Sequence, residues 1–395
     1  MRILMLSWEY PPRIIGGVSR HVYELCNALA DKGAAVDVVT CEHPGAPPEE
    51  DINGVKVHRV PVEGDSTDFI AWVRRLNEAT EAKADELLAS KKNKCDIIHG
   101  HDWLAEFAAR SLKHKHKLPL VATIHATEYG RNYGIHTDLH RYISHVEWEF
   151  AHEAWRVIAC THYMKEEIHN ILGPPLDKID VIPNGVDAGK FNIDFDKQSF
   201  RRGYAGDDER LVFFVGRMVH EKGAGVLIDA MSRIAESGLP AKLLIVGGGD
   251  RSALRDQAEK LGIGDKVYFA GYVDDDMLLK FYNVVDVAVF PSLYEPFGIV
   301  ALEAMAAKVP VVTSDVGGLR EVVDHGITGI TTSAGNPDSL AWGIMQILNN
   351  PNAARAMAET AYMKTLNAFS WSRIAEQTIE VYNRVADECS RAEWV

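Results

Sequence analysis

Two doubly wound α/β domains of similar size are what this 395-residue sequence predicts, and three observations carry the prediction. Short β-branched runs alternate with longer helical patterns along the whole chain. The strand runs are apolar on both faces, as in parallel sheets covered by helices on each side. The alternation restarts after a polar stretch that opens with Asn184-Gly185-Val186-Asp187 and extends to Asp208. About twelve strands are too many for one ordinary sheet, and the chain is too long for one core. A single (β/α)8 barrel competes, but a barrel has eight strands and no central polar break. The first domain is placed at residues 1–187 and the second from 188.

In the first half, 2–7 is a strand. Pro11-Pro12 and Gly16-Gly17 turn the chain. Val18, Val22, Leu25, Cys26 and Leu29 then recur at helical spacing until Gly33 stops the helix. Strands follow at 35–40 and 55–60, and Ala, Glu and Lys make 69–91 a long helix. Next come strand 96–99, helix 103–114 and the almost wholly apolar strand 118–125. Helix 139–154, strand 157–160, helix 164–172 and strand 179–182 complete the half. The second half reads strand 211–215, helix 224–237, strand 242–246, helix 253–261 and strand 267–269. It continues with helix 277–283, strand 287–290, helix 299–307 and strand 310–313. Helices at 340–349, 353–369 and 372–386 close the chain.

Composition narrows the function. Lys and Arg number 42 and Asp and Glu 56, a net charge of −14, divided evenly between the halves. Neither half is a basic lobe, which argues against nucleic acid or an anionic membrane as the main partner. The five cysteines include no Cys-x-x-Cys pair. They read as reduced thiols of a cytoplasmic protein, not as a disulfide framework or zinc site. Glu9 closes the first apolar run before it reaches the length of a signal segment. No run is long and apolar enough to span a bilayer.

In open α/β sheets ligands bind at the carboxyl ends of strands, so the loops there are the places to look. Two such sheets facing each other would share one cleft. Gly16 and Gly17 open the first helix, where a backbone without Cβ atoms and free N–H groups suit an anion; a plain turn explains them equally. Arg217 and Lys222 follow strand 211–215 and could clamp a diphosphate, against the reading of a solvated loop with a Glu–Lys pair. The densest signal is Tyr294-Glu295-Pro296-Phe297-Gly298-Ile299, with Glu303 one turn into the helix that follows. Glu295 suits sugar hydroxyls, the amides of Phe297, Gly298 and Ile299 suit phosphate, and Glu303 suits a ribose. The bland alternative makes Glu303 a complement to the helix dipole. His125, and His101-Asp102-Trp103 on the preceding strand, put polar groups at two neighbouring strand ends. Gly247-Gly248-Gly249 reads as a turn or a close approach to a nucleotide. His99, His101, His114 and His116 lack the partners of a metal site, and Asp274-Asp275-Asp276 reads as a helix cap.

These strings resemble the retaining glycosyltransferases of family 4, which share the two-domain GT-B fold, and among them the glycogen and starch synthase-like α-1,4-glucosyltransferases. The resemblance spans the chain through Ser7-Trp8-Glu9-Tyr10-Pro11-Pro12, Gly16-Gly17, His101-Asp102-Trp103 and Thr123-Ile124-His125-Ala126-Thr127-Glu128. It continues through Ile182-Pro183-Asn184-Gly185-Val186-Asp187, Arg217 with Lys222, Glu295 to Glu303, and Gly317-Gly318-Leu319-Arg320-Glu321. It implies that Arg217 and Lys222 bind the diphosphate, Glu295 the donor glucose, Glu303 the ribose, and Gly17 the phosphate from the other domain. His125 would lie beside the transferred sugar, with Asp102 and Glu128 on the acceptor side. It also implies a last helix, 371–395, that returns to the first domain, leaving 188–370 as the donor domain. The implied partners are UDP-glucose or ADP-glucose and an α-glucan, with no metal and no cofactor. Ile14 stands where glycogen synthases carry Lys, so the donor base stays open. The rivals are a family 4 enzyme acting on a lipid, inositol phosphate or small metabolite, a sugar-nucleotide epimerase, and a non-catalytic sugar-nucleotide binder. A lipid acceptor would want a basic helix, for which Lys91-Lys92 and 113–117 are the candidates.

Overall fold

The structure, a computed structural model, describes residues 1–64, 67–89 and 94–392. The chain forms two units: Met1–Gly185 together with the chain from Trp371 onward, and Val186–Ser370 between them. The division falls two residues before the one expected from sequence. The polar stretch after it is no linker: Phe191 is buried against Tyr282, and Arg201 binds Asp286 at 2.7 Å.

The first unit is built on eight strands: β1 (Arg2–Leu6), β2 (Ala35–Cys41), β3 (Glu49–Ile52), β4 (Val55–Val60), β5 (Ile97–His101), β6 (Leu120–Ile124), β7 (Arg156–Ala159) and β8 (Ile179–Val181). Their order is β3-β4-β2-β1-β5-β6-β7-β8. All pairs are parallel except β3 with β4. The chain winds outward from β1 in one direction and from β5 in the other, so the loops after β1 and β5 flank the switch point. The short edge strand β3 was not expected, because Glu49-Glu50-Asp51-Ile52 has no apolar run. Asn53 and Gly54, both at positive φ (53° and 85°), make the tight hairpin that turns it back. The helices Gly17–Asp31 and Trp371–Arg391 pack together over one face. Val22, Leu25 and Leu29 of the first meet Ile374, Val381 and Tyr382 of the second in one apolar cluster.

The second unit has six parallel strands: β9 (Arg210–Val215), β10 (Ala241–Val246), β11 (Val267–Gly271), β12 (Val287–Phe290), β13 (Val311–Ser314) and β14 (Ile330–Thr332). Their order is β11-β10-β9-β12-β13-β14, which places the switch point between β9 and β12. The three-residue β14 was not expected from sequence.

Glu106, at the start of helix Glu106–His116, is fully buried and neither carboxylate oxygen has a hydrogen bond. Burial pushes its pKa up to about 7, against the pull of Arg110, whose Nε lies 3.0 Å from Oε1. A carboxyl raised in the folded state favours folding below its unfolded pKa, and that contribution is lost as pH rises through 7. Glu106→Gln should therefore flatten the decline of stability between pH 5 and pH 8, raising it at the alkaline end by up to about 3 kcal/mol. Urea melts of both proteins across that range measure it; parallel curves would show that Glu106 ionises freely.

Candidate active site

In the second unit the two loops at the switch point are tied to each other. β9 runs into Gly216-Arg217 and a single tight turn, His220–Lys222. β12 runs into Pro291–Gly298 before helix Ile299–Ala306. The Leu293 amide donates to the Glu221 carbonyl at 2.7 Å. Lys222 Nζ lies 2.7 Å from Glu295 Oε2, which also accepts from Ser292 Oγ at 3.1 Å. The Glu295 carbonyl is held by the Gly318 amide at 2.8 Å. Lys222 and Glu295, read separately from sequence, are thus one ion pair, its carboxylate buried and its ammonium half-buried. Arg217 is close by in the chain but its side chain is 56% exposed, 3.5 Å from Glu221, so its charge is available to a ligand.

Gly298, at φ 104°, delivers the chain into helix Ile299–Ala306, whose N-terminus carries a partial positive charge at the strand ends. Glu303 is buried in that helix and accepts from Tyr282 Oη at 3.0 Å. The Phe297 ring is buried against Phe369, with centroids 6.0 Å apart, so its side chain packs the core. The Gly247-Gly248-Gly249 run is structural. A Cβ at Gly247 would lie 1.8 Å from the Gly216 carbonyl, and the Met218 amide bonds the Gly248 carbonyl. Asp274 caps its helix by accepting from the Met277 amide.

In the first unit the glycine turn departs from expectation. The Glu9 carboxylate is buried and accepts from the amides of Ile15 (2.7 Å) and Gly16 (3.0 Å). A buried carboxylate must find donors, and it takes the Gly16 amide expected to meet phosphate; Gly17, first residue of its helix, is the glycine left for that role. Burial raises the Glu9 pKa, against those two bonds. Arg13 does not replace the missing lysine at Ile14. Its guanidinium lies over the rings of Trp8 (5.6 Å) and Trp72 (5.5 Å).

β5 and β6 run side by side with His101 opposite Thr123, which brings Asp102 and His125 together beyond their ends. Asp102 is buried with φ 58° and ψ 169°, a conformation rare for any residue but glycine. Its carboxylate accepts from the His125 amide at 2.8 Å. Burial raises the Asp102 pKa, opposed by Arg131, and burial lowers that of His125 to about 3. Glu128 starts the short helix Glu128–Arg131, its amide held by both oxygens of Glu147. Burial pushes Glu147 up to about 8. Arg131 sits 3.9 Å from Asp102, 3.7 Å from Glu128 and 3.8 Å from Glu147.

His21, His101 and His125 place one ring nitrogen each within 4.8 Å of one another, the grouping a metal ion would need. His101 and His125 are bonded to each other, whereas His21 keeps a buried Nε2 without a hydrogen-bond partner among the described residues. His101 Nδ1 and His125 Nε2 are 3.1 Å apart and His21 Nδ1 is 2.6 Å from Asn184 Oδ1. His99 is held by Tyr382 and Thr123, and His114 and His116 bond Glu153 and Asp85. Lys113 and Lys115 pair with the same two carboxylates, so 113–117 is not a free basic face. Lys91 and Lys92 lie outside the described residues.

Glu9, His21, Glu147 and Ser292 were not singled out as site residues from sequence. Two carried a readable signal. Glu147 shares its helical stripe with Ile143, Val146 and Phe150, and His21 shares one with Val18, Val22 and Leu25. A polar residue on an apolar stripe is buried for a reason.

Comparison with known proteins finds relatives along nearly the whole chain. Residues 15–190 match the family model Glycosyltransferase Family 4, and 196–364 match Glycosyl transferases group 1. The chain is 42% identical over 388 residues to an uncharacterised glycosyltransferase of Methanocaldococcus jannaschii, covering 97% of this chain and 98% of that one. It is 36% identical to the glycogen synthase of Mycobacterium tuberculosis, covering 97% and 94%. The sucrose-phosphate synthase structure from Thermosynechococcus elongatus superposes with a TM-score of 0.84 at 25% identity, covering 98% and 99%. A sugar-transferring enzyme of two Rossmann-like domains is the class these findings define. The chain belongs to glycosyltransferase family 4 and has the GT-B fold. No helix among the described residues is long and apolar enough to cross a membrane.

Proposed function

We propose that this enzyme transfers glucose, with retention, from UDP-glucose or ADP-glucose to the 4-hydroxyl of an α-glucan. The bond from the anomeric carbon to the diphosphate oxygen breaks through an oxocarbenium-like transition state. The acceptor oxygen attacks on the face that the diphosphate leaves, and its proton passes to the departing diphosphate. Arg217 and Lys222 stabilise the charge on that leaving group, which is where electrostatics contributes most. Glu295, held by Lys222 and Ser292, offers its remaining lone pairs to sugar hydroxyls. Glu303, with Tyr282, does the same for the ribose. No metal enters this reading.

The observation that carries the donor half is the Lys222–Glu295 pair at 2.7 Å, set at the switch point of the second sheet. The acceptor half rests on charge. Arg131 is already matched by the surrounding Asp102 and Glu128, which favours a neutral polyhydroxyl acceptor over a phosphorylated one. The similarity to a sucrose-phosphate synthase supports the second reading, a phosphorylated sugar as acceptor.

The test is nucleotide release from each donor, alone, with glycogen or maltooligosaccharide, and with sugar or inositol phosphates. We expect release that depends on the glucan, with chain extension seen by mass. Release that depends on a phosphorylated acceptor would replace the glucan reading with the second one. Donor consumption without any acceptor and without hydrolysis would point to an isomerase.

A further inference from the structure

Four histidines from three elements of the first unit touch in series. The ring centres of His99 and His101 are 4.4 Å apart, those of His101 and His125 5.4 Å, and those of His125 and His21 4.7 Å. Three of the rings are buried; His125 is half-buried. The His101–His125 contact has a definite direction. Its ring centres are 5.4 Å apart and its nearest nitrogens 3.1 Å. The difference is two ring radii, so both nitrogens lie on the line between the rings and point at each other. That is a straight N–H···N hydrogen bond, and one proton lies in it.

Which ring supplies the proton is decided at the far side of His101. Its Nε2 lies 2.9 Å from the sulfur of Met5, a buried residue of β1. A thioether sulfur can only accept, and a neutral imidazole has one donor and one acceptor nitrogen. His101 therefore donates from Nε2 to Met5 and accepts at Nδ1, so His125 carries its proton on Nε2. His125 Nδ1 is left as a bare acceptor, with no hydrogen bond to a described residue. The Asp102 carboxylate, 2.8 Å from the His125 amide, fixes the backbone beneath the ring.

We infer that His101 is a positioning residue: backed by the Met5 sulfur, it holds His125 in the Nε2–H tautomer, so that Nδ1 accepts a hydrogen bond from a hydroxyl of the bound sugar during turnover. The inference rests on the reading of His125 as a residue beside the transferred sugar. Burial, which takes His125 down to about 3, keeps the ring neutral and the assignment constant through the working range. The tautomer matters because a ring nitrogen with its proton on the wrong side offers a donor where substrate brings a donor too.

The test uses the full-length enzyme labelled with 15N-histidine and long-range proton–nitrogen correlation, which reads each ring's tautomer independently of activity. We expect His125 as Nε2–H in the unaltered protein. His101→Phe, which cannot accept, should release it to a mixture and lower kcat on the order of tenfold to a hundredfold with little change in donor KM. His101→Asn, whose side-chain oxygen can stand in for Nδ1, should restore both the tautomer and kcat. Met5→Leu, which leaves His101 free to turn its proton inward, should give a mixture without removing any group near substrate. An Nδ1–H signal for His125 in the unaltered protein overturns the inference. So does a His101→Phe enzyme whose tautomer shifts while kcat stays the same. If no glucan supports turnover, the glucan reading falls alone, and the kcat comparison is made on donor hydrolysis.

Discussion

Lys222→Ala should lower kcat by a hundredfold to a thousandfold, on the scale of losing one preorganised charge at a developing anion. Two effects act together. The leaving diphosphate loses a cation placed at the switch point. Glu295, whose side chain is only 9% exposed, loses the ammonium 2.7 Å away that its Oε2 is bonded to. A carboxylate left without that partner turns or draws in water, which alters the face it presents to the sugar. Lys222→Ala combined with Glu295→Gln separates the two. If leaving-group charge dominates, the double variant is as slow as the single one; if the stranded carboxylate dominates, it recovers part of the loss. Arg217→Ala, which strands no buried group, should cost on the order of a hundredfold through charge alone. Steady-state nucleotide release measures all three. Near-normal turnover in Lys222→Ala would take Lys222 out of the site.

Gly223→Ala is expected to have a large effect for a single methyl group. Gly223 sits between Lys222 and helix Ala224–Glu236 with φ 70°, where a side chain strains the backbone. A Cβ there would lie 2.0 Å from the Pro291 carbonyl oxygen and 2.9 Å from its carbon. Both are backbone atoms, so no side chain can turn away to make room. The loops after β9 and β12 would have to part, and with them Lys222 and Glu295. We expect a loss of stability on the order of 3 kcal/mol and turnover as low as in Lys222→Ala. Urea unfolding and donor titration measure the two parts. Gly238→Ala serves as the control: it also has positive φ, 82°, but nothing lies within 4 Å of its added Cβ. Equal losses in the two variants would mean that backbone strain alone, and not the Pro291 contact, sets the effect.

The residues of the loops after β9 and β12 were readable because each stands in a loop directly after an apolar strand, and parallel sheets put such loops at one end. Their pairing was not readable. Lys222 and Glu295 are far apart in sequence, and the strand order that makes β9 and β12 neighbours is written in packing, not in either string. Strand β5 shows the opposite limit. Expected to stop at His99, it continues to His101, because both imidazoles find partners inside the protein, in Tyr382, Thr123, Met5 and His125. Polar residues look like a strand's end until their partners are known. Glu9 was read as the close of an apolar run, whereas it is the acceptor that shapes the glycine turn. The Phe297 ring follows the ordinary rule for a large aromatic and is buried, which leaves the expectation for its backbone amide untouched.

The first unit is interrupted in sequence by the whole of the second. During synthesis this sets an order of events. The strands β1 to β8 leave the ribosome first, yet the helix Trp371–Arg391 that covers Val22, Leu25 and Leu29 is made last. Val186–Ser370 is complete before that helix exists, so it can finish folding while its elder neighbour waits with an apolar face uncovered. The wait also reaches the histidine series, because Tyr382, which holds His99 at 2.6 Å, arrives with that helix. The first unit is therefore completed only after the second has been made, and its closing contact joins residues far apart in the chain, a loop closure of high entropic cost.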